Sequence, residues 1–163
     1  MLSQFFVLSA RGDTIIAKDF RGDLKRTTSE VFFRKVKFWT GDAPPVFNVD
    51  GVNYFYTKKF GMYFVTTTKY NVSPSFVFDA LYRMMKVFRD YLGVLSEESI
   101  RKNFVLIYEV IDEMIDFGHP QSMTTETIKQ YIVNEPIMVQ PKTQSGNFKP
   151  SIFTGNTIPS TAI

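Results

Sequence analysis

Proton-transfer or metal chemistry in this chain would have to start from one histidine, His119, and from a run of carboxylates just before it. A general base needs a partner that orients it, and a metal needs further nitrogen, sulfur or oxygen ligands around it. His119 has neither a second histidine nor any cysteine to share such a role. The absence of cysteine also removes a disulfide framework, a thiolate zinc site and a thiol nucleophile. His119, directly before Pro120, is expected to be an exposed loop residue. Glu109, Asp112, Glu113 and Asp116 recur at helical spacing and in principle suit a hard cation. Carboxylates from one helix face rarely surround an ion, however, and no glycine-bearing loop of EF-hand spacing is present. The stripe is read as solvated or partner-facing. Serines and threonines are frequent but have no base to activate them, and no phosphate-binding, dinucleotide, nucleophile-elbow or zincin motif occurs. No catalytic, cofactor-binding or metal residue is assigned, and the chain is read as a non-enzyme.

Three further motifs have bland readings. Arg11-Gly12-Asp13 and Arg21-Gly22-Asp23 are turn sequences, in which Gly supplies the backbone conformation and Asp accepts local hydrogen bonds. Asn71-Val72-Ser73 has the form of a glycosylation acceptor. The apolar N-terminus has no basic lead-in or cleavage site, and Arg11-Gly12-Asp13 interrupts it well short of a membrane span, so a cytosolic address is expected and the acceptor would be idle.

The more informative feature is a helix expected to run from the cap at Ser73-Pro74 to about Leu92. Val77, Ala80, Leu81, Met84, Phe88, Tyr91 and Leu92 form its core stripe, and Asp79, Arg83, Lys86 and Asp90 form a narrow polar strip. Between the two lies an additional shoulder of Phe78, Tyr82 and Met85. The apolar arc then covers about 240°, wider than one sheet face can bury. Packing against the next helix is one account. A docking surface for another subunit is the other, favoured by the aromatic and methionine make-up of interface cores.

The rest of the chain must position that shoulder. With 163 residues, 44% of them hydrophobic and 21% charged, the sequence suits one soluble domain with a real core. Its 17 Phe and 8 Tyr suggest a thick core or a partner interface. Residues 136–163 contain Lys142 and Lys149 and no acid, which leaves 1–135 with a net charge of only +1 out of the total of +3. That balance, with no dense basic run, argues against nucleic acid as a partner. Alternation predicts strands over about 2–10 and 14–20, then 46–49, 52–58 and 61–68, with Asp50-Gly51 suited to a two-residue hairpin turn. A helix is expected from the capping box Thr27-Thr28-Ser29-Glu30, carrying Val31, Phe32, Val36 and Trp39 and ended by Gly41 and Pro44-Pro45. A third long helix should start at Ser96 and carry Ile100, Phe104, Ile107, Tyr108, Ile111, Met114 and Ile115 to Gly118 and Pro120. A short one follows near Thr124–Asn134. The order ββ-α-βββ-α-α-(α) describes an α+β fold, a five-stranded, mostly antiparallel sheet apolar on both faces and covered by helices on both. From Pro136 the composition turns to that of a linker, so the division is a folded domain over 1–135 and a flexible segment over 136–163.

Residues 99–121, SIRKNFVLIYEVIDEMIDFGHPQ, resemble a long, specific segment of adaptor-protein medium (mu) chains. Met62-Tyr63-Phe64-Val65-Thr66-Thr67-Thr68 and Asn71-Val72-Ser73-Pro74 resemble the segment before that family's second helix. The opening Ser3–Ser9, the Arg11-Gly12-Asp13 turn and Lys18–Asp23 are most similar to the medium chain of adaptor complex 4, as is the exit at Asn134-Glu135-Pro136-Ile137. The resemblance covers about residues 1–140. It implies the longin fold, no cofactor, and a place in a heterotetramer of two large chains, one medium and one small (sigma) chain. It implies docking against the large beta-type chain, a membrane reached only through the complex, and vesicle-mediated sorting at the trans-Golgi network. The cargo-reading mu-homology domain that follows in such chains is absent from this sequence. The other readings are a medium chain of another adaptor, a small (sigma) chain, against which the Pro-rich tail argues, and a regulatory longin module of a SNARE, which would call for a heptad helix downstream.

Overall fold

The computed structural model describes residues 1–121 and 124–140. The strands are β1 (Gln4–Ser9), β2 (Thr14–Asp19), β3 (Val46–Val49), β4 (Val52–Lys59) and β5 (Met62–Thr68), and they form one sheet in the order β2-β1-β5-β4-β3. All four neighbour pairings are antiparallel. The helices α1 (Thr28–Lys37), α2 (Pro74–Leu92), α3 (Glu97–Lys102), α4 (Phe104–Met114) and α5 (Thr125–Lys129) follow the expected order with one extra break.

Period-two alternation separates two cores. On one face Phe6 and Leu8 of β1, Tyr54 of β4 and Val65 of β5 meet Phe32 of α1. On the other, Phe5 and Val7, Phe55, and Met62 and Phe64 meet α2 and α4. The sheet is thus covered on both sides. Asp50 and Gly51 both have positive φ, as the two-residue turn between β3 and β4 demands.

Burial, reinforced by the charge of Asp50, pushes the Tyr54 phenol up to about 12 from an ordinary value of 10.0. The folded chain therefore keeps a proton that the unfolded chain loses. This contribution to stability is intact below pH about 10 and is lost as pH rises towards 12. Denaturation midpoints measured across that window should fall steeply, and Tyr54→Phe should flatten the fall. A slope unchanged in Tyr54→Phe would contradict this assignment.

Several local expectations need correction. The capping box at Thr27 does not form: Thr27 makes no side-chain cap bond. The neighbouring Thr28 is buried, and its hydroxyl donates to the Gln4 amide oxygen and to the Lys25 carbonyl, tying α1 to β1. Ser73 likewise makes no side-chain bond, although Pro74 opens α2 and Gly93 closes it with φ of 69°.

The third long helix is two helices. Asn103, with φ of −114° and ψ of 26°, interrupts it. Its side-chain amide donates to the Ser99 carbonyl at 2.8 Å and the Ile137 carbonyl at 2.9 Å, and its oxygen accepts from the Ile137 N–H at 2.6 Å. Asn103 thus works as a short piece of strand for the exit segment. The break shifts the helical phase, so Phe104, expected in the core, is 53% exposed. Ser96 caps α3 reciprocally with Ser99.

Ile115, expected at the end of a helix, instead opens a two-residue ladder of β6 (Ile115–Asp116) and β7 (His119–Pro120). Its turn residue Gly118 accepts a hydrogen bond from the Leu2 N–H at 2.7 Å. α5 is shorter than expected and buries Ile128, while Tyr131 lies outside it and is exposed. Of the segment expected as linker, 136–140 carries no helix or strand and is held at Ile137, and 141–163 lies outside the described residues.

Candidate functional site

The residues first considered for chemistry are used for folding or face solvent. The His119 side chain is on an exposed residue, and its carbonyl accepts from the Gln121 amide. The acidic stripe is spread among contacts: Asp112 pairs with Lys18 at 2.5 Å and Glu109 accepts from the Asn134 amide at 2.6 Å. Arg21 and Asp23 form part of a clamp. The Arg21 guanidinium sits 5.3 Å from the Tyr70 ring centroid and donates to the Phe117 carbonyl, while the Asp19 carboxylate caps the amides of Arg21 and Gly22. These contacts join the end of β2 to the β6–β7 turn. They are turn and packing devices, as the motif's composition suggests.

The shoulder of α2 is different. Tyr82 is 47% exposed, and its ring stacks on Phe78 with centroids 6.3 Å apart. Phe78 is half-buried because its inner edge meets Phe55 of β4 in a T-shaped contact at 6.1 Å. The sheet therefore supplies part of its cover. Met85 corrects the expectation of an exposed residue. It is only 6% exposed and belongs to the main core. The reason is local: the β4–β5 turn rises beside this part of α2, so Met85 becomes the floor of a groove.

That groove encloses about 270 Å³ and is lined by Lys59, Phe60, Tyr82, Met85, Lys86 and Arg89. Tyr82, Met85, Lys86 and Arg89 share one helix side by their spacing of three to four residues. Lys59 and Phe60 come from the β4–β5 turn, with the Lys59 ammonium 5.2 Å from the Tyr82 centroid. Sequence reasoning missed these two. A signal was present: Lys59-Phe60-Gly61 places a large aromatic at the first central position of a two-residue hairpin turn, where Asn or Gly is usual.

Among the described residues, the site is an aromatic shoulder beside the sheet, and no nucleophile and base are brought together there. The chain belongs to the clathrin adaptor complex small chain family, whose model matches residues 1–140. Over its whole length it is similar to the AP-4 complex subunit mu of Arabidopsis thaliana, with 54% identity over 169 residues covering 38% of that relative. It is 48% identical over 142 residues to the AP-4 complex subunit mu of Dictyostelium discoideum, which covers 87% of this chain and 27% of that relative. The AP-4 complex subunit mu-1 of Homo sapiens is 40% identical over 143 residues, covering 86% of this chain and 32% of that one. The chain thus spans well under half the length of the curated relatives it matches. The family is one of adaptor subunits and not of catalysts.

Proposed function

We propose that this chain is the N-terminal longin unit of an adaptor medium chain of the complex 4 type, a non-catalytic assembly subunit in vesicle-mediated protein sorting. The observation that carries this reading is the 54% identity to an AP-4 mu subunit along the entire chain, with no part of the fold left outside the match. The unit occupies residues 1–135, and residues 136–163 lead towards a cargo-reading domain. Its work is to hold a place in a heterotetramer by docking directly on the large beta-type chain, with the second large chain and the small sigma chain completing the assembly. The stacked pair Phe78 and Tyr82 offers the contact surface on α2, and Met85 supports it from below. No helix among the described residues is long and apolar enough to cross a membrane. The membrane, at the trans-Golgi network or on vesicles derived from it, is reached through the complex.

Affinity capture of the tagged chain followed by mass spectrometry tests this. Co-purification of the two large chains and the small chain of complex 4 is the expected result. Recovery of another adaptor's large chains would contradict the complex assignment, and recovery of no large chain would contradict the assembly role itself.

A further inference from the structure

We infer that the groove between the β4–β5 turn and α2 receives an acidic segment of the large chain, one apolar side chain seated between Phe60 and Tyr82 and its carboxylates against Lys59, Lys86 and Arg89. This rests on the docking role proposed above and adds the chemistry of the partner. The first support is charge. Three of the six lining residues are cations and none is an acid. None of the ion pairs among the described residues involves Lys59, Lys86 or Arg89, whereas Arg83 on the same helix is paired with Asp79 at 2.8 Å. Cations gathered around a low-dielectric floor repel one another and attract an anion.

The second support is backbone strain. Phe60 has φ of +54°, a left-handed conformation that is an outlier for a bulky side chain, yet the residue is 51% exposed. Gly61 at +71° completes the turn and needs no aromatic before it. Folding gains little from a phenyl ring held at such a position, so the strain points to a use outside the fold. The third support is shape. At about 270 Å³ the groove is smaller than the usual small-molecule site and suits a single anchoring side chain. It is concave, with Met85 as its floor, whereas a lipid surface would be met by a convex tip.

Short peptides tiled across the large chain's sequence, and phosphatidylserine vesicles as the contrasting anionic surface, should be titrated against the 163-residue chain. Binding peptides should combine Asp or Glu with a Leu or Phe, and replacing their acids by amides should weaken binding roughly tenfold or more. Lys86→Glu with Arg89→Glu should have a like effect. Phe60→Asn should weaken binding while the melting temperature stays level or rises, which a merely structural phenylalanine would not allow. Equal binding of the amide peptides, binding of vesicles alone, or no bound peptide would each overturn the inference. If Tyr82→Ala loses the large chain while the double charge reversal keeps it, the docking reading stands and the acidic partner falls. If neither variant loses it, both fall.

Discussion

Gly118→Ala is expected to cost the fold roughly 4 kcal/mol or more, in the class of the most damaging single substitutions. Two effects act together at this glycine. Its φ of +82° is one that a residue with a Cβ adopts only at a cost, on the order of 1–2 kcal/mol. The added Cβ would also lie 1.9 Å from the Leu2 carbonyl oxygen. That neighbour is backbone, so no side-chain rotation relieves the clash. Nor can the N-terminus easily withdraw. Leu2 is 1% exposed, its N–H donates to the Gly118 carbonyl, and Ser3 and Met1 are bonded to Thr67 and Thr68 of β5. Typical domains have only about 5–15 kcal/mol in total, so most of the stability is at stake. Gly22→Ala is the control: its φ is +67°, but nothing lies within 4 Å of its Cβ. Urea midpoints should separate the two variants clearly. Equal midpoints would mean that the β6–β7 turn is not fastened to the N-terminus.

Phe32→Ala should cost about 3–5 kcal/mol, the usual range for emptying an aromatic site in a core. Phe32 is fully buried and is the centre of the smaller core, between α1 and the sheet. Its ring lies 5.1 Å from that of Tyr56 and 5.9 Å from each of Phe6, Phe47 and Tyr63, with Phe47 stacked nearly parallel at 12°. Removing it leaves a cavity bounded by rings from four strands, which are held by their own ladders and cannot close in. Phe32→Leu keeps most of the volume and should cost less than half as much. A loss below about 1.5 kcal/mol for Phe32→Ala would show that α1 is not fixed to the sheet through this ring.

The architecture was legible where one local rule and the tertiary packing agree. Alternation in Gln4–Ser9 and Met62–Thr68 serves both faces of the sheet, and Asp50-Gly51 and Ser73-Pro74 mark boundaries that the fold keeps. Failures occur where a distant group decides. The break at Asn103 depends on hydrogen bonds to Ile137, 34 residues away, and nothing in the helical pattern of 97–117 announces it. Thr27 lost its cap because Thr28 is drawn inward to Gln4.

The apolar shoulder of α2 was legible in the same uneven way. The width of the apolar arc marked Phe78 and Tyr82, which the fold leaves half-buried and 47% exposed. A helical wheel cannot tell that the β4–β5 turn stands beside Met85, however, so Met85 was misplaced and Lys59 and Phe60 were left out. The contribution of those two depends on the approach of one element to another, and only their unusual turn composition hinted at it.

The measurement that tests the account most directly compares two adjacent residues of α2, with melting of the isolated chain and co-purification with the large chain recorded side by side. Leu81 is 1% exposed and faces the core, and Leu81→Ala should cost the fold about 2–5 kcal/mol. Tyr82 is 47% exposed, and Tyr82→Ala should leave the free chain within about 1 kcal/mol of the unmodified one. In the complex the same truncation should cost about 2 kcal/mol or more, as removal of a buried aromatic anchor does. Stable Tyr82→Ala protein that no longer retains the large chain is the predicted result. Tyr82→Ala protein that retains it fully, or that melts as badly as Leu81→Ala, would contradict the assignment of α2 as the docking face.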